Sequence, residues 1–271
     1  MISVLILTLN EELNLPACLE SVRWSDDIVV LDSGSTDRTV EIAKAAGARV
    51  VHRPFDDERS HRTASLSLGF RHPWVYNPDA DEVTPLELAE EMKAVVSDRG
   101  RAEVAYRVRF KNMFRGRWLR RSGLYPTWVV RLFRPERVRF ARTINLQYVI
   151  DGPEGRLNSH FLHYSFNKGM DHWREKHRRY AALEAEDNLR ELRECPVDVP
   201  GLFDIGAPVR RRRALKLLSM RLPFRPWLRF LYMYVLRMGF LDGGPGLEYC
   251  RLMKWYEGEI VRNMRLLREN R

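Results

Sequence analysis

Apolar and polar positions along the first hundred residues alternate between two periods. Ile2-Ser3-Val4-Leu5-Ile6-Leu7 is a short, nearly continuous apolar run, suited to a strand covered on both faces. Asn10 is placed to cap a helix with Glu11 and Glu12 in its first turn, and Leu15, Cys18, Leu19 and Val22 then share one helical face. Ile28-Val29-Val30-Leu31 reads as a second strand, and the stretch around Val40, Ile42 and Ala43 as a second helix closed by Gly47. Arg49-Val50-Val51 and Trp74-Val75-Tyr76 give a third and a fourth strand. Thr84-Pro85-Leu86-Glu87 carries the residues of a capping box and predicts a helix over 85–96. Strands alternating with helices build βαβ units and a parallel sheet, in which ligands bind at the carboxyl ends of the strands.

Polar residues collect at those strand ends. Thr8-Leu9-Asn10-Glu11 follows the first strand, Asp32-Ser33-Gly34-Ser35-Thr36-Asp37 the second, and Asp79-Ala80-Asp81-Glu82 the fourth. Neither G-x-G-x-x-G nor G-x-x-x-x-G-K-[ST] occurs, which removes the main support for dinucleotide and P-loop readings. Taken singly, each segment also reads as an ordinary turn or helix start; an Asp-x-Asp triplet arises by chance about 0.8 times in a chain of this composition. Together they are more specific. Two acids one residue apart suit a Mg²⁺ or Mn²⁺ ion bridging a diphosphate, because these hard cations take oxygen ligands and favour phosphate. An acid at the neighbouring strand end, Asp32, can accept a hydrogen bond from a base or ribose.

These segments resemble family 2 glycosyltransferases. The likeness continues through Gly116-Arg117-Trp118-Leu119-Arg120, Tyr125-Pro126, Arg131-Leu132-Phe133-Arg134, Asp151-Gly152, His163-Tyr164 and Gly239-Phe240-Leu241-Asp242-Gly243. The later segments resemble the branch that adds glucose to the heptose of a lipopolysaccharide core. The resemblance implies an α/β GT-A fold, with a Rossmann-like, mostly parallel sheet. It implies inverting transfer of a hexose from a UDP-sugar to a lipid-linked saccharide, assisted by Mg²⁺ or Mn²⁺. By the same resemblance Thr8, Asn10, Glu11, Asp32 and Ser33 line the nucleotide pocket, and Arg62 approaches the nucleotide or its diphosphate. Asp79 faces the ribose and the metal, and Asp81 ligates the metal.

Two departures stand out. Thr63 and Ala64 follow Arg62 where the family has Asn and Trp, and Asn145 and Leu146 stand where the branch has His-Glu. An inverting transfer needs a group to deprotonate the acceptor. Asp151, the acid nearest in sequence, is the expected base, with Glu154, His160 and His163 as alternatives. The missing pair keeps open a second reading, a non-catalytic, transferase-like membrane adaptor that binds nucleotide.

Charge then divides the chain. Residues 1–100 carry 10 Lys and Arg against 18 Asp and Glu, residues 101–271 carry 36 against 18, and residues 209–271 carry 15 against 5. A localised basic region fits a polyanionic surface, and no nucleic-acid recognition motif accompanies it, so the expected partner is an anionic membrane rather than nucleic acid. Arg210 to Arg213 and the aromatic-rich helix begun by Pro226 suit an in-plane membrane helix, though the pattern equally fits a packed helix with a solvated arginine face. A last helix is expected over 248–271. No run approaches the roughly 20 apolar residues that span a bilayer. Cys18, Cys195 and Cys250 lack metal or redox spacing and read as free thiols. The expectation is a catalytic domain over 1–165 and a helical, basic, membrane-facing region over 166–271. Residues 190–213 form the candidate boundary, and the chain is placed in the cytoplasm, peripheral on the inner face of the cytoplasmic membrane.

Overall fold

In a computed structural model describing residues 1–141 and 147–269, the first apolar run forms β1 (Ser3–Thr8), with Val4, Leu5 and Ile6 at most 1% exposed. Then come α1 (Leu15–Ser21), β2 (Ile28–Asp32), α2 (Thr39–Ala45), β3 (Arg49–His52), α3 (Glu58–Ser65), β4 (Val75–Tyr76), β5 (Glu82–Val83) and α4 (Leu86–Ser97). β6 (Ala105–Phe114), β7 (Arg117–Trp118), β8 (Trp128–Phe133), β9 (Val138–Ala141), β10 (Gln147–Ile150) and β11 (Glu154–His163) complete the strands. The main sheet runs in the order β3-β2-β1-β4-β8-β6-β11-β5, with β7 paired to β6. β3, β2, β1 and β4 are parallel, β8 runs against both β4 and β6, and β11 is parallel to β6. This is the mostly parallel mixed sheet of a GT-A fold.

The alternation of β1 explains its burial on both sides. Ile2, Val4 and Ile6 pack with Leu15, Leu19, Leu88 and Met92 from α1 and α4. Leu5 points the other way, into a second cluster with Val29, Leu31, Val75 and Phe133.

Two expected caps are not formed. Asn10 adopts a left-handed backbone (φ 56°), which Asn tolerates better than most residues. Its side-chain oxygen accepts from Thr36 N at 2.8 Å, and the helix begins only at Leu15, after Asn14. Thr84 does not cap α4 either: it is buried, with its hydroxyl 3.0 Å from that of Tyr76. In both cases a tertiary partner takes the oxygen that a cap would use.

The chain divides into two compact units, residues 1–120 with 125–168, and residues 121–124 with 169–271. The second is helical: α5 (Met170–Glu194), α6 (Val199–Phe203), α7 (Pro208–Ser219), α8 (Arg225–Leu231), a π-helical turn (Tyr232–Leu236), a 3₁₀ turn (Gly239–Asp242) and α9 (Gly243–Glu269). Residues 190–213, the candidate boundary, lie inside this unit. Ala181, Ala185 and Leu189 of α5 cluster with Ile260 and Met264 of α9. Trp173 stacks on His177 at 3.6 Å between ring centroids. Asp242 ties in the segment 121–124, accepting from Ser122 N at 2.7 Å, Ser122 Oγ at 2.6 Å and Arg121 N at 2.9 Å. Gly246 permits that turn, since a Cβ there would meet the Gly239 carbonyl at 2.5 Å. The 239–243 segment therefore acts as a structural clamp. Among the described residues no helix is long and apolar enough to cross a membrane.

Candidate active site

Parallel pairing sets Thr8 opposite Asp32 at the carboxyl ends of β1 and β2. Thr8 Oγ1 donates to Asp32 Oδ1 at 3.0 Å, and Gly34 N, Ser35 N and Ser35 Oγ donate to the same carboxylate at 3.0, 2.9 and 2.5 Å. Burial disfavours the charged form of Asp32, which is 1% exposed, but the hydrogen bonds from Ser35, Gly34 and Thr8 outweigh it and hold the carboxyl below its ordinary range. Around this fixed anion the loops lock together. Asn10 N donates to Ser35 Oγ at 2.9 Å, Glu11 N donates to Thr39 Oγ1 at 2.7 Å, and Lys168 Nζ donates to Glu11 Oε1 at 2.5 Å.

Ser33 meets a residue that sequence reasoning passed over. Its Oγ lies 3.1 Å from Nε2 of His61, whose Nδ1 lies 3.0 Å from Arg53 Nη1. A guanidinium only donates, so Nδ1 accepts and Nε2–H faces the Ser33 hydroxyl. Burial and then Arg53 push the His61 imidazole below its ordinary value, in keeping with that neutral form. Asp56 holds Arg53 from the far side at 2.7 and 2.8 Å.

The third strand end is the most heavily charged. Asp79 lies opposite Leu7, just past β4, and Glu82 in β5 pairs with His163, the last residue of β11. Tyr164 N donates to the Asp81 carbonyl at 2.9 Å, so the Asp-Ala-Asp-Glu turn is pinned to the end of that strand. Arg131 reaches it through a bulge. Tyr106 pairs with Leu132 but Arg107 with Val130, so one step on β6 spans two on β8 and Arg131 is the extra residue. Its Nη2 donates to Asp79 Oδ2 and, at 2.5 Å, to Glu82 Oε1. Arg62, on α3, lies 3.5 Å from Asp79 Oδ1 and donates to Asn77 Oδ1 at 3.2 Å and Glu58 at 3.0 Å. Two carboxylates thus share one buried guanidinium. Burial, with Asp79 alongside, pushes the Glu82 carboxyl up to about 8 despite Arg131. Asp79 is held low against its own burial by Arg131 and Arg62.

Asp81 faces elsewhere. Its Oδ2 is 3.4 Å from His163 Nε2, with the two side chains 21% and 26% exposed. A carboxylate and an imidazole at one open position are a donor pair for a divalent cation, while the Asp79 carboxylate is occupied by guanidinium groups. Among the described residues no three His, Cys, Asp or Glu side chains gather into a closed metal cage. The Asp81 carboxylate is the oxygen donor that a Mg²⁺- or Mn²⁺-like ion would take here, with His163 beside it and diphosphate and water as the remaining ligands.

The expected base, Asp151, is not brought to this cluster. It sits at the base of the β9–β10 hairpin, with its N on the Arg137 carbonyl at 2.9 Å and its carboxylate on Arg137 Nη1 at 3.0 Å. β11 starts at Glu154 opposite Ala105 and ends at His163 opposite Asn112. Seven residues of β6, about 23 Å at about 3.3 Å each, separate these ends. Glu154 lies at the far end too, paired with Arg107 at 2.7 Å. His160 is opposite Arg109, on the sheet face away from His163. Of the alternatives, His163 alone reaches Asp81. Positions 145 and 146 lie outside the described residues.

The chain is similar to known glycosyltransferases. An uncharacterised glycosyltransferase of Rickettsia typhi is 33% identical over 146 residues, 53% of this chain and 50% of its own length. The chain thus spans about half the length of that relative. A lipopolysaccharide core biosynthesis glycosyltransferase of Rhizobium meliloti is 36% identical over 86 residues, 30% of this chain and 32% of that protein. In fold, the chain is similar to a mannosyltransferase of Pyrobaculum calidifontis solved with GDP-Man and Mn²⁺ (TM-score 0.55, 14% identity, covering 97% of this chain and 86% of that one). The model of the family described as "Glycosyl transferase family 2" matches residues 3–163, more than half of the chain, and the chain belongs to that family.

Proposed function

We propose that the chain is an inverting glycosyltransferase that moves a hexose, glucose, from a UDP-sugar to a lipid-linked saccharide such as a lipopolysaccharide core. The observation that carries this reading is the convergence, at the carboxyl edge of one sheet, of the Thr8–Asp32 pair with the Asp79–Glu82 turn, His163 and Arg62. Similarity to the Rhizobium meliloti core transferase supports the acceptor class.

In this reading Asp32, with Thr8, Asn10, Glu11 and Ser33 around it, receives the nucleoside. Asp79, fixed by Arg131, faces the ribose, and Arg62 meets the diphosphate. Asp81 and His163 would hold Mg²⁺ or Mn²⁺, which when bound supplies charge stabilisation to the departing diphosphate. The acceptor oxygen attacks the anomeric carbon from the face opposite the leaving UDP, and its proton passes to a base other than Asp151. Residues 1–165 would carry this chemistry, and residues 166–271 would face the membrane that bears the acceptor. The proposed place of action is the cytoplasmic side, peripheral on the inner face of the cytoplasmic membrane at its anionic surface.

A screen of nucleotide-sugars for Mn²⁺-dependent hydrolysis or transfer, with mass spectrometry of acceptor lipids, tests the reading. Turnover with a UDP-hexose is expected. UDP binding without turnover from any donor would favour the nucleotide-binding adaptor.

A further inference from the structure

The helical stretch 225–236 turns its apolar side outward. α8 continues directly into the π-helical turn, and Trp227, Leu228, Leu231, Tyr232, Val235 and Leu236 recur at the three- and four-residue spacing of one helix face. All six are 41–74% exposed. The other side does the packing: Met233 is fully buried, and Arg225 pairs with Glu257 at 2.5 Å. A contiguous apolar stripe on a protein surface marks an interaction site.

Charge identifies what it meets. Between Asp204 and Asp242 the chain has nine Lys and Arg and no Asp or Glu. Lys254 Nζ lies 3.3 Å over the Trp227 ring, and Arg229 is half-buried on the same helix. Apolar residues flanked by Trp, Tyr and cations suit the boundary between headgroups and acyl chains, where aromatic rings sit at headgroup depth and basic side chains reach phosphate. A second copy of the chain would set this positive face against itself, which like charges oppose.

We infer that residues 225–236 form an in-plane membrane helix that inserts its Trp227–Leu236 stripe into an anionic phospholipid surface. This rests on and sharpens the membrane-borne acceptor reading, and narrows the contact expected at Arg210 to Arg213 and the helix begun by Pro226 to that helix. Arg210 is engaged by Asp198 at 2.6 Å and Asp204 at 3.3 Å, and Arg213 Nη2 lies 3.4 Å from Cys195 Sγ. Insertion, more than the arginine run, then sets the affinity.

Sedimentation of the full chain with vesicles tests this, using phosphatidylcholine alone and phosphatidylcholine mixed with phosphatidylglycerol. The chain should pellet with the mixed vesicles. Leu231→Glu combined with Val235→Glu should weaken that binding at least about tenfold, since two apolar side chains lose their burial in lipid. Both positions are exposed, so the thermal melt should hold; Leu231→Ser serves in place of the pair if it does not. Arg210→Gln should change binding less than about fivefold, the worth of one free surface charge. The inference is overturned if the wild-type chain ignores mixed vesicles, or if the doubly substituted chain binds them normally. It is equally overturned if ultracentrifugation shows a wild-type dimer that the same substitutions dissolve. Neither donor nor acceptor enters the assay, so its failure would leave the transfer reaction standing.

Discussion

In the sheet unit the apolar side chains of β1 and β2 that form the core are at most 2% exposed, and the acids at the strand ends are bound by Thr8, Ser35, Arg62 and Arg131. In the helical unit six large apolar side chains of 225–236 stay 41–74% exposed above a packed Arg225–Glu257 pair. The first unit spends its polar groups internally, on fixing a site. The second leaves apolar groups unspent, for something outside the chain. Ligand binding in the first should therefore depend on charge placement, and binding by the second on exposed surface.

The sharpest way to break this contrast is Arg131→Met. Removing one partner from a buried ion cluster takes the guanidinium from Glu82 and leaves Asp79 with Arg62 alone, and should cost about 3–5 kcal/mol in chemical denaturation. A cost below about 1 kcal/mol would mean that the sheet unit does not depend on its internal charges.

A second test lies inside the helical unit, at His177. Burial pushes its imidazole from the ordinary 6.5 to about 4. The unfolded chain therefore binds more protons between those values, so the stabilisation is full above about 6.5 and is lost as pH falls toward 4, by about 3 kcal/mol. Amide exchange in α5 should quicken over that window, and His177→Phe, which keeps a ring against Trp173, should flatten the response. An unchanged pH profile in that variant would assign the loss to other groups.

The smallest effect expected is at Asp151. Asp151→Asn should leave turnover within about twofold, where loss of a general base costs about 10²- to 10⁴-fold. A loss of that larger size would return the residue to the chemistry.

The strands and their acidic ends were legible because a buried parallel strand must be apolar and because ligands collect where such strands stop. Asn10 and Thr84 read as caps because a capping oxygen and one committed to a tertiary partner look alike in sequence. Arg131 gave no local signal: in regular alternation it would share a face with Val129 and Phe133, and only the bulge re-aims it. His61 sits in a helix whose polar residues read as surface. Asp151 is close in sequence to positions 145 and 146, but the hairpin places it at its base, beyond the amino end of β11. In 225–236 the amphipathic pattern was plain, while the side that would face out depended on packing that periodicity does not encode.

The central claim is that Asp81 and His163 complete a cation-dependent diphosphate site on the sheet unit. Thermal melts with UDP plus Mn²⁺, repeated with EDTA and repeated in Asp81→Ala, test it most directly. At ligand about 100 times its dissociation constant, UDP with Mn²⁺ should stabilise the wild type by about 2.7 kcal/mol. EDTA or Asp81→Ala should remove most of that gain while the melt without ligand stays nearly unchanged. Equal stabilisation by UDP with Mn²⁺, with EDTA and in the Asp81→Ala chain would contradict the account.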